Sequence, residues 1–125
     1  MSRQNRKTQR SGKAAEYVKV YRFMTEGMGL TGASLLVYAR IFGFCKETGG
    51  AFWESRRGTA EFLGISERQV NRVMRQLEAD GLIEPVGEWK IPNGRITRRY
   101  EVTEGPVREA LKLVAKRHDP SLFDP

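Results

Sequence analysis

The chain has one cysteine, Cys45, and one histidine, His118. A lone cysteine closes no internal disulfide, and one cysteine with one histidine makes no metal-ligand set at a familiar spacing. Neither a disulfide scaffold nor a zinc module is therefore expected, and no cofactor is. Catalysis of the Ser/His/Asp or Cys/His kind would need His118 to return from the end of the chain to a pocket, and no glycine run has the phosphate-cradling P-loop pattern. These absences argue against an enzyme. No apolar run approaches the ~18 residues of a membrane helix. The basic amino terminus is followed by no apolar segment or small-residue cleavage site, so it does not read as a secretory signal. No membrane partner and a reducing, cytoplasmic setting are the expectations.

What the chain has in excess is positive charge. Twenty-two Lys and Arg face 15 Asp and Glu, for a net +7 and a pI near 9.9, a balance that favours an anionic partner such as nucleic acid. Five of those charges, Arg3, Arg6, Lys7, Arg10 and Lys13, fall in residues 1–13 with no acid among them, leaving a remainder of only +2. Residues 1–13 thus read as a basic tail, either a solvated terminus or an arm that touches DNA. Residues 14–118 read as one domain, and residues 119–125 as an irregular C-terminal tail. At 125 residues such a chain buries roughly two-thirds of its unfolded surface and supports a true core.

Along the domain, Tyr17–Tyr21 alternates like a short strand, and Arg22–Met28 suits a turn of helix before Gly29. A helix capped by Thr31 runs past Cys45 toward Gly49-Gly50, apolar on more than one stripe and so central and buried. Cys45 falls on its buried face, where an inert thiol is expected. Arg56–Leu63 follows, capped by Ser55 and broken by Gly64. Ser66 and Gln69 form a capping box opening a helix to Asp80, with Gly81 at the left-handed position beyond it. Leu82–Ile91 and Arg95–Thr103 flank Asn93-Gly94, the pair favoured in a two-residue hairpin loop. Such a loop sets Ile91 opposite Ile96, Trp89 opposite Arg98 and Glu88 opposite Arg99. Pro106 then starts an amphipathic helix bearing Val107, Leu111 and Val114.

The spacing from Ala60 to Val73 is the most specific signal. Two helices meeting at a tight turn need a small residue at their contact, a residue tolerant of positive φ in the turn, and apolar anchors on the second helix. Ala60, Gly64 and the pair Val70 and Val73 meet those needs in order, with Phe62, Leu63 and Ile65 filling the space between. With Val70, Val73 and Leu77 inward, Arg68, Asn71, Arg72 and Arg75 share a polar face, joined by Glu67. Arginine donates a bidentate pair to guanine and asparagine pairs with adenine, so the composition suits reading base edges.

Residues 55–83, with Ala60-Glu61-Phe62-Leu63-Gly64-Ile65-Ser66 leading into Val70, Val73, Leu77 and Gly81-Leu82-Ile83, resemble a bacterial winged helix-turn-helix domain. Tyr17–Thr103 is more loosely similar to domains of phage, plasmid and conjugative-element replication or regulatory proteins. The resemblance implies an α+β fold, mainly α with a small β-hairpin wing, built on three helices plus a C-terminal one. It also implies that the second motif helix enters the major groove of double-stranded DNA while the hairpin rests on the backbone or minor groove. Carried over, Glu67, Arg68, Asn71, Arg72 and Arg75 face the groove, and Lys90 and Arg95 are wing contacts. Arg56 and Arg57, at the start of the first motif helix, lie where a phosphate would approach. A homodimer is expected, because one recognition helix reads few base pairs. The rival reading is a protein-docking module in a primosome-like assembly, with Val107, Leu111 and Val114 as its surface.

Overall fold

The computed structural model describes residues 16–47, 49–90, 92, 94 and 96–119. The basic tail, Asn93 and Arg95 of the hairpin tip, and residues 120–125 of the C-terminal tail lie outside them. Among the described residues, a π-helical turn (Phe23–Gly27) precedes α1 (Gly32–Glu47), α2 (Arg56–Leu63), α3 (Glu67–Ala79), an antiparallel hairpin of β1 (Ile83–Lys90) and β2 (Ile96–Val102), and α4 (Glu104–His118). This is a winged-helix arrangement of the α+β class. No helix among the described residues is long and apolar enough to cross a membrane.

Local chemistry sets the boundaries of α2 and α3. Ser55 Oγ accepts from Gly58 N at 2.9 Å and Ser66 Oγ from Gln69 N at 3.0 Å, each satisfying a backbone donor that the first helical turn leaves free. Gly64 closes α2 at φ +72°, a conformation that costs a side-chain-bearing residue about 1 kcal/mol or more, and its N–H returns to Ala60 O at 2.8 Å. At the end of α3, Leu82 N donates to Leu77 O and Gly81 N to Glu78 O, the paired bonds of a Schellman cap.

The core lies where α1 meets α3. Val37, Tyr38, Ile41 and Phe44 of α1 are buried with Val70, Val73, Met74 and Leu77 of α3, and Ala60 of α2 is buried in the same cluster. Cys45 is half-buried, its thiol 3.9 Å from Tyr100 O, and burial pushes its pKa up. That is the inert thiol its position implies.

Three local expectations need correction. Tyr17–Tyr21 forms no strand; the segment has no partner among the described residues to complete a ladder, and Tyr17 and Val20 are exposed. The hairpin register is shifted by one residue, with Glu88 opposite Arg98 and Lys90 opposite Ile96. A two-residue loop at Asn93-Gly94 would ask Pro92 to donate a closing hydrogen bond, and proline has no N–H. Finally, α4 begins at Glu104, so Pro106 occupies its third position, still among the backbone groups that need no intrahelical partner. The inward face of α4 is Val107, Ala110 and Val114, whereas Leu111 is 50% exposed.

Pro85 and Phe52 explain each other. Tyr100 stands opposite Pro85, but its N–H and C=O both bond to Phe52, at 3.0 and 2.7 Å, on the other side of β2. The hydrogen bond that proline cannot give is not required there, and Val86 beside it is the extra residue of a β-bulge.

α4 packs on the π-helical turn rather than on the helix-turn-helix. A Cβ at Gly27 would meet Ala110 Cβ at 2.6 Å, so the two backbones touch at glycine. Glu26 ties the far end: His118 Nε2 lies 2.7 Å and Arg117 Nη1 3.8 Å from its carboxylate. The bond to His118 is the main reason the Glu26 carboxyl sits below the usual range. Because its folded pKa is depressed, the tether is complete above the ordinary carboxylate range and is lost as pH falls through the lowered value. Amide protection at the last turn of α4 should therefore fall as pH drops below 4.5, as hydrogen-exchange NMR would show.

Tyr38 is fully buried, its hydroxyl has no hydrogen-bond partner among the described residues, and burial drives its pKa well above the ordinary phenol range. Tyr38→Phe removes a polar group that cost desolvation and returned nothing. It should leave stability unchanged or raise it by up to about 1 kcal/mol in urea denaturation, whereas a loss of 1 kcal/mol would mean that the hydroxyl is satisfied.

Candidate nucleic-acid interface

Burial of Val70, Val73, Met74 and Leu77 fixes the rotation of α3 about its axis, and the side chains on the opposite side follow from it. Arg68, Arg72 and Arg75 recur at i, i+4 and i+7 and all three are exposed. Glu67 is exposed in the first turn, where a carboxylate suits the positive end of the helix dipole. Asn71 departs from the grouping implied by its sequence. It lies on the flank of the arginine row, half-buried, with its Oδ1 accepting from Arg56 Nε at 2.9 Å.

A cleft of about 750 Å³ runs between the start of α2, the first turns of α3 and the wing. Arg56, Arg57, Glu67 and Asn71 line it, together with Glu54 and with Glu88, Ile96 and Arg98 of the hairpin. The expected residues thus divide into two groups. Arg56, Arg57, Glu67 and Asn71 meet at the cleft, and Arg68, Arg72 and Arg75 form a separate exposed row. Lys90 is exposed at the end of β1, and Arg95 lies outside the described residues.

Charge in the cleft is mixed. Arg57 pairs with Glu61 at 3.2 Å on the surface of α2, and Arg98 faces Glu88 at 3.7 Å across the hairpin. Both are solvent-exposed pairs, worth ~0–1 kcal/mol each and easily exchanged for another anion. Arg56 differs: besides Asn71, it donates to the Tyr100 hydroxyl at 3.3 Å and lies over that ring.

A solved structure named "Possible transcriptional regulator" from Methanosarcina mazei Go1 superposes on this chain with a TM-score of 0.53 at 14% identity. The match covers 80% of this chain and 82% of that one. The likeness is one of fold. No protein-family model matches the sequence, and no curated protein matches it.

The polar group that the sequence pattern did not bring forward is a buried ion pair behind the cleft. Arg40, only 4% exposed, donates from Nε and Nη2 to the two carboxylate oxygens of Glu54 at 2.8 and 2.7 Å. Thr59 Oγ1 donates to the same carboxylate at 2.8 Å. Phe62 does not fill the gap between the motif helices; its ring covers the Arg40 guanidinium, with Cζ 3.6 Å from the centroid. Arg40 carried a signal, since a charge flanked by Ala39 and Ile41 in an apolar helix requires a partner. Its partner precedes Ser55, so the pair pins the start of α2 and sets where Arg56 and Arg57 emerge.

Glu54→Ala takes from the buried Arg40 guanidinium the carboxylate that its Nε and Nη2 both grip. We expect a loss of about 3 kcal/mol by urea denaturation, with part of it recovered when Arg40→Met removes the charge as well. A loss under 0.5 kcal/mol would show that the pair behaves as a surface contact.

Proposed function

We propose that the chain is a sequence-specific double-stranded DNA-binding protein, with α3 in the major groove and the β1–β2 wing against the backbone. One observation carries the reading. Three arginines stand exposed in a row on the side of α3 opposite its buried residues, at the spacing that presents them together to one surface. Their guanidinium forks match guanine O6 and N7. The cleft beside them gives the wing and the start of α2 a place on the same ligand.

Arg68, Arg72 and Arg75, with Asn71 at their flank, read bases. Arg57, Lys90 and Arg95 meet phosphates, and the basic residues 1–13 add to the charge that draws the protein to DNA. The role is that of a binding protein rather than an enzyme. The name of the M. mazei neighbour favours regulation of transcription, while a replication-associated role in a mobile element rests on the sequence resemblance. The protein acts as a homodimer on a two-fold site, because a single recognition helix contacts too few base pairs for selectivity. Light scattering of the free and bound protein tests that.

Selection of bound duplexes from a random pool at two salt concentrations tests the reading as a whole; enrichment of one sequence supports it, and a pool left random at both contradicts it. On the selected duplex, Arg72→Ala should cost about 1–3 kcal/mol and relax the preference at one position. Arg57→Ala should weaken selected and random duplexes alike and lower the salt slope by about one. Equal losses on both duplexes for Arg72→Ala would reject its reading role.

A further inference from the structure

Arg56 opens α2 beside the cleft, yet its guanidinium is engaged within the protein. Nε donates to Asn71 Oδ1 at 2.9 Å, and Nη2 donates to the Tyr100 hydroxyl at 3.3 Å. A guanidinium only donates, so the Asn71 atom facing it is the oxygen, and the amide nitrogen is turned away. That nitrogen forms no hydrogen bond among the described residues. The far end of the bridge is rigid, because Tyr100 is buried and exchanges both backbone hydrogen bonds with Phe52. Three elements, α2, α3 and β2, thus hold one carboxamide in one orientation.

We propose that Arg56 is a positioning residue that keeps the Asn71 oxygen inward, so that α3 offers Asn71 to DNA through its NH2 group alone, as a reader of purine N7. This rests on the DNA-binding reading above and refines it. A free asparagine pairs with adenine by donating to N7 and accepting from the N6 amine. With the oxygen held by Arg56, the donor remains. N7 is an acceptor on adenine and guanine alike, so Asn71 separates purine from pyrimidine without separating the two purines. Holding the group beforehand also removes rotamer freedom that binding would otherwise have to quench. A direct phosphate contact by Arg56, the role its place in the sequence suggests, makes a different forecast, because a lysine serves a phosphate as a point charge but cannot reproduce the two-partner fork.

The test compares the intact protein with Arg56→Lys, Arg56→Met and Asn71→Ala on a selected duplex and a random one over a range of salt. Both Arg56 variants should lose about tenfold in affinity where the base at the position that Asn71→Ala relaxes is guanine, and the released carboxamide should narrow the preference there from either purine to adenine, with random-duplex affinity and salt slope unchanged. Replacing that purine by its 7-deaza analogue should cost the unaltered protein about tenfold and Asn71→Ala nothing. In the free protein, Arg56→Met should shift the Asn71 side-chain NH2 resonances. Full activity in Arg56→Lys with a salt slope lowered by about 0.9 in Arg56→Met would make Arg56 a phosphate contact and overturn the proposal. Unmoved Asn71 resonances would overturn it even with specific binding intact. If the resonances shift but no duplex is bound by the unaltered protein, the DNA-binding reading has failed and the proposal falls with it.

Discussion

The seating of Val70, Val73, Met74 and Leu77 against α1 and α2 is the constraint from which the remaining geometry follows. Burying each of these side chains contributes ~1.5–3 kcal/mol. Turning α3 by one residue, about 100°, would move three of the four out of the core and bury one arginine and two other polar side chains in their place, Gln69, Arg72 and Gln76 in one direction or Asn71, Arg75 and Glu78 in the other. The penalty would match the whole net stability of an ordinary domain, roughly 5–15 kcal/mol. The outward display of Arg68, Arg72 and Arg75 is therefore a by-product of core packing, held with the rigidity of the interior although no arginine in the row contributes to it. The short α2 has few apolar residues of its own and depends on the same seating through Ala60.

Apolar packing sets the rotation of α3, and polar contacts set the neighbouring pieces against it. Arg40 reaches from α1 to Glu54 and so fixes where α2 begins; Arg56, the first residue of α2, reaches to α3 and to β2. A buried ion pair is weak evidence for stability, since desolvation consumes much of its attraction. Its value here is positional. The fork of Arg40 accepts one carboxylate geometry, and Thr59 and Phe62 complete the enclosure.

The sequence was most legible where a position is dictated by backbone chemistry. Ser55, Gly64, Ser66 and Gly81 each announce a helix boundary through a hydrogen bond or a positive φ that few other residues supply, and those boundaries stand as read. The valine spacing revealed the outward arginines for the same reason. Legibility failed where the partner is remote in sequence. Arg56 was read as a phosphate contact from its place at the start of a helix, and its partners within the protein, Asn71 and Tyr100, lie 15 and 44 residues away. Glu54 likewise has no local mark as the partner of Arg40. The hairpin register was misjudged because Asn93-Gly94 was weighed without the missing donor of Pro92. Alternation at Tyr17–Tyr21 was taken for a strand although a strand needs a neighbour that sequence cannot supply. Leu111 was grouped with Val107 and Val114 because a spacing of four and three fits two adjacent helix faces; the backbone contact at Gly27 chose the one centred on Ala110.

The bulge at Val86 and the proline before it bear on how copies of this chain meet. β2 has β1 on one flank and Phe52 on the other, which leaves the outer side of β1 as the unpaired rim of the sheet among the described residues. A rim of open N–H and C=O groups invites another chain to extend it, and natural proteins blunt such rims with proline, bulges and charges. Pro85, the bulge, Glu84, Glu88 and Lys90 supply all three within one eight-residue strand. Self-association by strand addition along β1 is thereby discouraged.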